Sequence, residues 1–371
     1  MARKKKVRYA VVGLGHFAQV AVLPAFANAK RCELTALVSD DPAKLDELTR
    51  QYGVEIRASY DDFDHFLASG QVDAVYLVLP NHLHRDYTVR AARAGVHVLC
   101  EKPMAVTEED CREMIRATDE ANVKLMIAYR LHLEEANLKT VEVVTSGQIG
   151  EPRIFNSLFS MNVTDEDNIR LDREKGGGTL YDIGVYCINA ARYLFRDEPI
   201  EVSAFSANNG EPRFREVDEM TTCILRFPGE RLASFTCSFG AADVSSYQVV
   251  GTRGDVRLDP AYEYRGKLKQ HLTIEGKTKS KTFNRRDQIA AELTYFSDCI
   301  LKGKEPEPNG REGLADVRVV RALYRSAETR QPVELEPFEK RRRPQPEQGI
   351  ERPAPWTRPE PVHAEGPRGN S

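Results

Sequence analysis

The sequence contains no long apolar run. Nothing in it approaches the roughly 20 consecutive apolar residues that a membrane-crossing helix needs, which excludes an integral helical membrane protein. It also lacks an excess of either charge, with 53 basic residues against 56 acidic ones and a formal net charge of −3. That balance builds no single-sign field of the kind that draws nucleic acid to a protein. The seven cysteines (Cys32, Cys100, Cys111, Cys187, Cys223, Cys237 and Cys299) include no Cys-x-x-Cys pair, and most stand in apolar stretches. An odd, scattered set argues against a disulfide framework and a zinc cluster; reduced, buried thiols and no metal site are expected. The basic start, Met1 to Lys6, runs straight into Val7–Val12 without a cleavage-site pattern. A cytoplasmic chain is therefore expected, or a periplasmic one had an export leader been removed.

What is present suits about two soluble domains: 371 residues, 41% hydrophobic and 29% charged. The first third alternates short β-branched runs with helical patterns. Strands are predicted at Val7–Val12, Leu34–Ser39, Val72–Leu79, His97–Cys100 and Lys124–Ala128. Helices are predicted at Phe17–Asn28, Pro42–Tyr52 and Leu83–Ala94, and another begins after Thr107, a helix-capping threonine followed by three acids. Near-continuous apolar strands separated by helices predict an α/β fold, a doubly wound parallel sheet over residues 7–128. The pattern then changes to consecutive strands at Arg153–Ser160, Ile200–Ala207, Thr221–Phe227, Leu232–Phe239 and Tyr247–Val250, with turns at Gly229 and Gly251–Gly254. Helices are predicted at Leu180–Leu194, Asp287–Leu301 and Arg311–Thr329. Strands clustered in this way predict an α+β domain with a mostly antiparallel sheet over 129–336. Residues 337–371 carry eight prolines, the run Arg341-Arg342-Arg343 and the only tryptophan, Trp356. That tail cannot bury a core of its own; it is either disordered or an arm lying on another surface.

Gly13-Leu14-Gly15-His16-Phe17-Ala18 follows the first strand and opens the first helix. It is a G-x-G-x-x-A form of the dinucleotide fingerprint. The first glycine allows the tight turn, Gly15 lets backbone approach a pyrophosphate, and Ala18 keeps helix close to strand. The end of the second strand selects the nicotinamide cofactor. NAD binders place an acid there, whereas NADP needs donors or cations for its 2′-phosphate. Ser39 and Lys44 favour NADP. Asp40 and Asp41 oppose it if they turn inward, and do not if they cap the Pro42 helix.

Two further segments carry chemistry. Cys100-Glu101-Lys102-Pro103-Met104 lies at the carboxyl end of a predicted strand, where doubly wound sheets hold ligands. Lys102 there suits donation to a substrate hydroxyl; an ordinary surface lysine is the alternative. Gly176-Gly177-Gly178 leads into a helix on which Asp182 and Tyr186, four apart, share a face. An acid and a phenol beside a glycine-rich approach suit proton transfer to a sugar hydroxyl. The alternative is a core tyrosine and an acid complementing the helix dipole.

Together, Gly13–Ala18, Pro80-Asn81-His82-Leu83-His84, Glu101-Lys102-Pro103, Leu125 to Arg130, Glu198 to Val202 and the Gly-Gly-Gly…Asp182-x-x-x-Tyr186 segment resemble the glucose–fructose oxidoreductase and inositol dehydrogenase (Gfo/Idh/MocA) family. The similarity runs from about Val7 to Val333 and is greatest to the glucose–fructose and aldose–aldose oxidoreductase members. It implies a Rossmann domain followed by an α+β domain whose large open sheet makes subunit contacts, so a homodimer or homotetramer is expected. It implies that Lys102 sits beside nicotinamide and substrate, that Tyr186 replaces the histidine base of inositol dehydrogenase-like members, and that Ser39 and Lys44 contact the NADP 2′-phosphate. Pro80, Asn81, His84, Glu101 and Arg130 join the cofactor set on the same ground, and Tyr129 and Asn168 join Lys102, Asp182 and Tyr186 as sugar contacts. The implied activity is oxidation of an aldose at C1 to the lactone, coupled to reduction of a second sugar to an alditol with retained NADP(H). A plain aldose or polyol dehydrogenase with exchangeable cofactor is the alternative. Tyr186 would act as the base, and a tyrosine hydroxyl must fall from about 10 toward neutrality for that, worth roughly 4 kcal/mol. The charges of Lys102 and of nicotinamide would supply it.

Overall fold

The computed structural model describes residues 6–340, 342–354 and 359–368. Residues 1–5 of the basic start, Arg341 and Trp356 lie outside the described residues. The chain forms two compact units, one of residues 1–130, 287–314 and 351–371, the other of 131–286 and 315–350. The sequence division is linear; these units are interleaved, because the helix after Asp287 and the tail beyond Ile350 both return to the first, while residues 337–350 of the tail stay with the second.

In the first unit, β1 (Val7–Val12) is buried along nearly its whole length, as a strand covered on both faces must be. It leads through the glycine turn into a π-helical turn (Ala18–Val22) and α1 (Leu23–Ala25). Then come β2 (Cys32–Val38), α2 (Pro42–Tyr52), β3 (Ile56–Ala58), α3 (Phe63–Ala68), β4 (Ala74–Leu77), α4 (His84–Arg93), β5 (His97–Cys100), α5 (Glu108–Glu120) and β6 (Leu125–Ile127). Local signals set several boundaries. Asp41 caps α2 by accepting from Lys44 N at 3.1 Å, and left-handed Gly53 ends it. Thr107 caps α5 by accepting from Asp110 N at 3.1 Å. The six strands pair in parallel in the order β3-β2-β1-β4-β5-β6. This is a Rossmann sheet whose order reverses between β1 and β4, where such sheets open their ligand crevice.

The second unit contains α6 (Glu135–Thr145), β7 (Pro152–Ser160), a second π-helical turn (Leu180–Gly184) and α7 (Val185–Phe195). The strands β8 (Glu201–Ala207), β9 (Met220–Phe227), β10 (Arg231–Ser238), β11 (Val244–Gly251), β12 (Gly254–Leu258), β13 (Leu268–Ile274) and β14 (Lys277–Phe283) follow. After them come α8 (Gln288–Lys302), which belongs to the first unit, α9 (Gly310–Thr329) and β15 (Val333–Glu334). The nine-stranded sheet runs β14-β13-β12-β11-β7-β10-β9-β8-β15 and is antiparallel except between β7 and β10. Along β9, Cys223, Leu225 and Phe227 are buried while Thr222, Ile224 and Arg226 face out, the period-two pattern of a sheet covered on one side. The uncovered face carries Ile154, Leu158, Ile224, Leu232 and, 72% exposed, Phe205. Leu232 lies opposite Ile154 in the β7–β10 pairing.

All seven cysteines are buried and unpaired. Among the described residues no helix is long and apolar enough to cross a membrane, and no cluster of His, Cys, Asp or Glu could hold a metal.

Candidate active site

At the carboxyl end of β1, Gly13 adopts φ +92° and its N donates to Val38 O at 3.1 Å. A β-carbon there would stand 2.4 Å from Val78 O, so the position admits only glycine. Gly15 differs: a β-carbon would meet nothing within 4 Å. That leaves the space a dinucleotide pyrophosphate needs, so the turn fits the cofactor its sequence implies. Leu14 and Ala18 are buried, and His16 and Phe17 half-buried.

At the end of β2 both aspartates are engaged by backbone. Asp40 Oδ1 accepts from Tyr60 N at 2.7 Å, and Asp41 Oδ1 is the α2 cap. The Lys44 backbone amide, then partial burial and the His363 contact, are the causes acting on the Asp41 carboxyl, which is held below the usual carboxylate range. Ser39 is buried, its Oγ accepting from Asp41 N at 3.2 Å, and Lys44 Nζ lies 3.8 Å from Asp41 Oδ2.

Three further loops of this unit converge at the ends of β4, β5 and β6. Pro80 precedes the single turn Asn81–Leu83. His84 is fully buried, with Nδ1 2.9 Å from Pro103 O and Nε2 2.9 Å from Leu79 O. Burial holds its pKa down, against the pull of those carbonyls. Each ring nitrogen faces a backbone carbonyl, to one of which the neutral ring donates its single N–H, and His84 thereby packs the Pro80 loop against the Glu101–Lys102–Pro103 loop. Glu101 accepts from Tyr76 Oη at 2.7 Å and from Lys102 N at 3.3 Å; burial raises its carboxyl pKa, opposed by the Lys102 charge. Lys102 is half-buried and joined to Pro103 by a cis peptide bond. Tyr129 is buried, and Arg130, 5% exposed, donates from its guanidinium to Gln288 Oε1.

Gln288 and Glu292 escape the sequence reading. They stand one turn apart on α8, so they share a face. Glu292 is fully buried with neither carboxyl oxygen hydrogen-bonded. Burial first, then the neighbouring Glu101 charge, pushes its pKa well up. A glutamine and a glutamate in an amphipathic helix carry no signal of this until the helix is known to return to the first unit.

In the second unit the triple glycine serves packing. A β-carbon at Gly177 would stand 2.5 Å from Arg170 O, and one at Gly178 (φ +120°) 2.4 Å from Tyr324 Oη. That close approach brings the Asn168–Leu171 segment against the π-helical turn. Arg170 Nε donates to Asp182 Oδ2 at 2.6 Å, and Asn168 Oδ1 accepts from Arg170 NH1 at 3.3 Å. Asn168, Arg170 and Asp182 are therefore one charge-assisted network, of which sequence reasoning missed Arg170. The π-helical turn carries Asp182 and passes into α7 just before Tyr186. Such wider turns recur at functional sites. The Tyr186 ring is half-buried, edge-on to Phe159 at 5.6 Å and tilted to Tyr262 at 5.8 Å between centroids.

Residues 7–129 match the model of an oxidoreductase family with an NAD-binding Rossmann fold, and residues 138–257 match the Gfo/Idh/MocA C-terminal domain. The chain is 36% identical over 341 residues to D-xylose 1-dehydrogenase [NADP(+)] of Haloarcula marismortui, covering 90% of this chain and 95% of that protein. It superposes with TM-score 0.86 and 39% identity on an aldose–aldose oxidoreductase from Caulobacter crescentus complexed with glycerol, covering 89% of this chain and 100% of that one. A 3-ketoreductase from Actinomadura kijaniata, in complex with NADP and TDP-benzene, superposes with TM-score 0.80 and 25% identity over 87% and 98% of the two chains. The chain belongs to the Gfo/Idh/MocA family of NAD(P)-dependent oxidoreductases.

Proposed function

We propose that the protein is an NADP-dependent sugar oxidoreductase that oxidises an aldose at C1 to the lactone and reduces a second sugar to the alditol with the same retained cofactor. One observation carries the sugar reading: the similarity to the aldose–aldose oxidoreductase spans the whole of that chain. The choice of NADP is supported by Ser39 and Lys44 at the end of β2, where Asp40 Oδ1 and Asp41 Oδ1 accept from backbone amides and Asp41 Oδ2 faces the Lys44 ammonium.

The cofactor, when bound, supplies the hydride acceptor. Gly13, Leu14, Gly15, His16, Phe17 and Ala18 would hold its pyrophosphate, Ser39 and Lys44 its 2′-phosphate, and Pro80, Asn81, Glu101 and Arg130 its nicotinamide half. His84 acts by fixing the loops that carry Pro80 and Lys102. Tyr186 takes the proton from the C1 hydroxyl and returns it to the second sugar's carbonyl oxygen. Lys102 stabilises the negative charge developing on that oxygen. Asp182, oriented by Arg170, accepts from sugar hydroxyls, with Asn168 and Tyr129 as further contacts. Outside the site, the uncovered sheet face with Ile154, Leu158, Ile224, Leu232 and Phe205 exceeds what scattered surface apolar residues explain, and supports a homo-oligomer formed through it.

The test is product analysis after incubating the purified protein with an aldose and no added cofactor. Aldonate and alditol in equal amounts are expected; no product without added NADP refutes cofactor retention. A plain NADP-dependent aldose dehydrogenase is the second reading, favoured by the 36% identity to the Haloarcula xylose dehydrogenase. It would form aldonate alone, in proportion to the NADP added.

A further inference from the structure

The described residues beyond Ile350 are tied to the first unit at named points. Arg352 O accepts from Asp287 N at 3.1 Å, and Arg352 Nε reaches Thr294 Oγ1 at 3.4 Å, both on the opening turns of α8. Further on, Val362 pairs with a side chain as a strand residue pairs with its neighbour. Gln19 Nε2 donates to Val362 O at 2.9 Å, and Val362 N donates to Gln19 Oε1 at 2.7 Å. Gln19 is buried, and its Nε2 also donates to Leu14 O at 2.9 Å, so the tail is fixed to the glycine turn through one amide. His363 sets Nδ1 3.2 Å from Asp41 Oδ2, the oxygen that also faces Lys44. At Gly366 a β-carbon would come 3.1 Å from His16 Nε2.

Within five residues the tail therefore meets the glycine turn, the buried glutamine behind it and the end of β2. These contacts lie on the rim. The floor is left open, since a β-carbon at Gly15 would still meet nothing within 4 Å. An occupant competing for the cradle would fill that floor; a cover would leave it open.

We propose that residues 362–366 form part of the dinucleotide site, as a strap across its rim that retains the adenosine half of NADP, with His363 a specificity residue for the 2′-phosphate. This rests on the NADP reading above and supplies the retention which a coupled cycle requires. An imidazole donates well to a phosphate oxygen, and His363 brings a third donor to the corner that Ser39 and Lys44 define. Val362 needs no particular side chain for its part, because both of its contacts are made by backbone.

The test is the release rate of bound NADPH and NADH, read from their fluorescence during a chase with excess unlabelled NADP+, in the full chain and two variants. Val362→Pro removes the N–H that Gln19 accepts and lies outside every helix and strand, so no helical or ladder hydrogen bond is lost. It is expected to release both nucleotides about tenfold faster, the scale of one or two lost hydrogen bonds. His363→Ala is expected to lower affinity for NADPH at least about fivefold more than for NADH. Unchanged release in Val362→Pro overturns the strap. Slower release overturns it in favour of a competing tail. An equal effect of His363→Ala on both nucleotides overturns the specificity role. If the unaltered protein binds neither nucleotide, the NADP reading itself fails and the strap falls with it.

Discussion

Replacing Arg192 by methionine tests the electrostatics that hold α7, the helix carrying Tyr186. The Arg192 side chain has no exposed surface. It donates to Glu198 Oε2 at 2.6 Å and Oε1 at 2.9 Å, and from NH1 to Asp316, which is itself fully buried. Arg343 NH2 also reaches Glu198 Oε1 at 2.9 Å and would remain after the substitution. Asp316 would lose the Arg192 cation while keeping the Asn189 amide at 2.9 Å. Removing one partner of a buried ion pair costs about 3–5 kcal/mol, because a charge is left buried without compensation. The cost depends on pH with a definite sign. Burial alone would raise the Glu198 pKa, but the charge of Arg192 prevails and holds it below its ordinary value. A carboxyl depressed in the folded state contributes stability above its unfolded pKa of about 4.3 and loses that contribution as pH falls further. The penalty of Arg192→Met is therefore full at pH 7, holds down to about pH 4.3 and shrinks between there and about pH 3. Urea unfolding with hydrogen exchange at the α7 amides reads it in the unit concerned, which matters in a chain with two compact units. A loss under about 1 kcal/mol at pH 7, or the same loss at pH 7 and at about pH 3, would refute the reasoning.

Tyr186→Phe keeps the ring contacts with Phe159 and Tyr262 and removes only the hydroxyl. Turnover should fall at least about a hundredfold with the thermal midpoint unchanged, and near-normal turnover would take Tyr186 out of the mechanism. Ser39→Asp puts a carboxylate at the end of β2. The ratio of NADP to NAD affinity, measured by titration, should fall at least about tenfold, and an unchanged ratio would contradict the 2′-phosphate assignment. Ile224→Lys places a charge on the uncovered sheet face. Sedimentation should show a smaller assembly than the unaltered chain forms, and an identical assembly would refute an interface there.

Much of the fold was legible because its causes are local. The strand Val7–Val12, the helix Pro42–Tyr52 and the strand His97–Cys100 occur at the bounds read from the sequence, being marked by an apolar run, a capped Pro start and a strand-length apolar stretch. What was illegible has non-local causes. β14, Lys277-Thr-Lys-Ser-Lys-Thr-Phe283, is exposed along most of its length at the sheet edge, so no alternation marks it. The π-helical turns share their apolar content with ordinary helix, and α6, with its run of buried residues on several sides, gave no clean stripe. α8 shows helical periodicity but nothing that tells which unit it joins, and Gln288 and Glu292 were missed with it. The triple glycine was read as a ligand approach, yet its contacts with Arg170 and Tyr324 are steric facts that only the tertiary structure supplies. For the proline-rich tail, composition left two alternatives; its described part is an arm on the chain itself, with Arg343, Pro344 and Ile350 bonded to the second unit and Val362, His363 and Gly366 meeting the first.

The central claim is that the hydride leaves C1 of an aldose for bound NADP. It is tested most directly by a single turnover of the NADP-loaded protein with an aldose deuterated at C1, followed by mass analysis of the nucleotide. Reduced nucleotide carrying the deuterium, formed more slowly than with unlabelled sugar, is the expected result. Reduced nucleotide without the label, or deuterium released to solvent water, would contradict it.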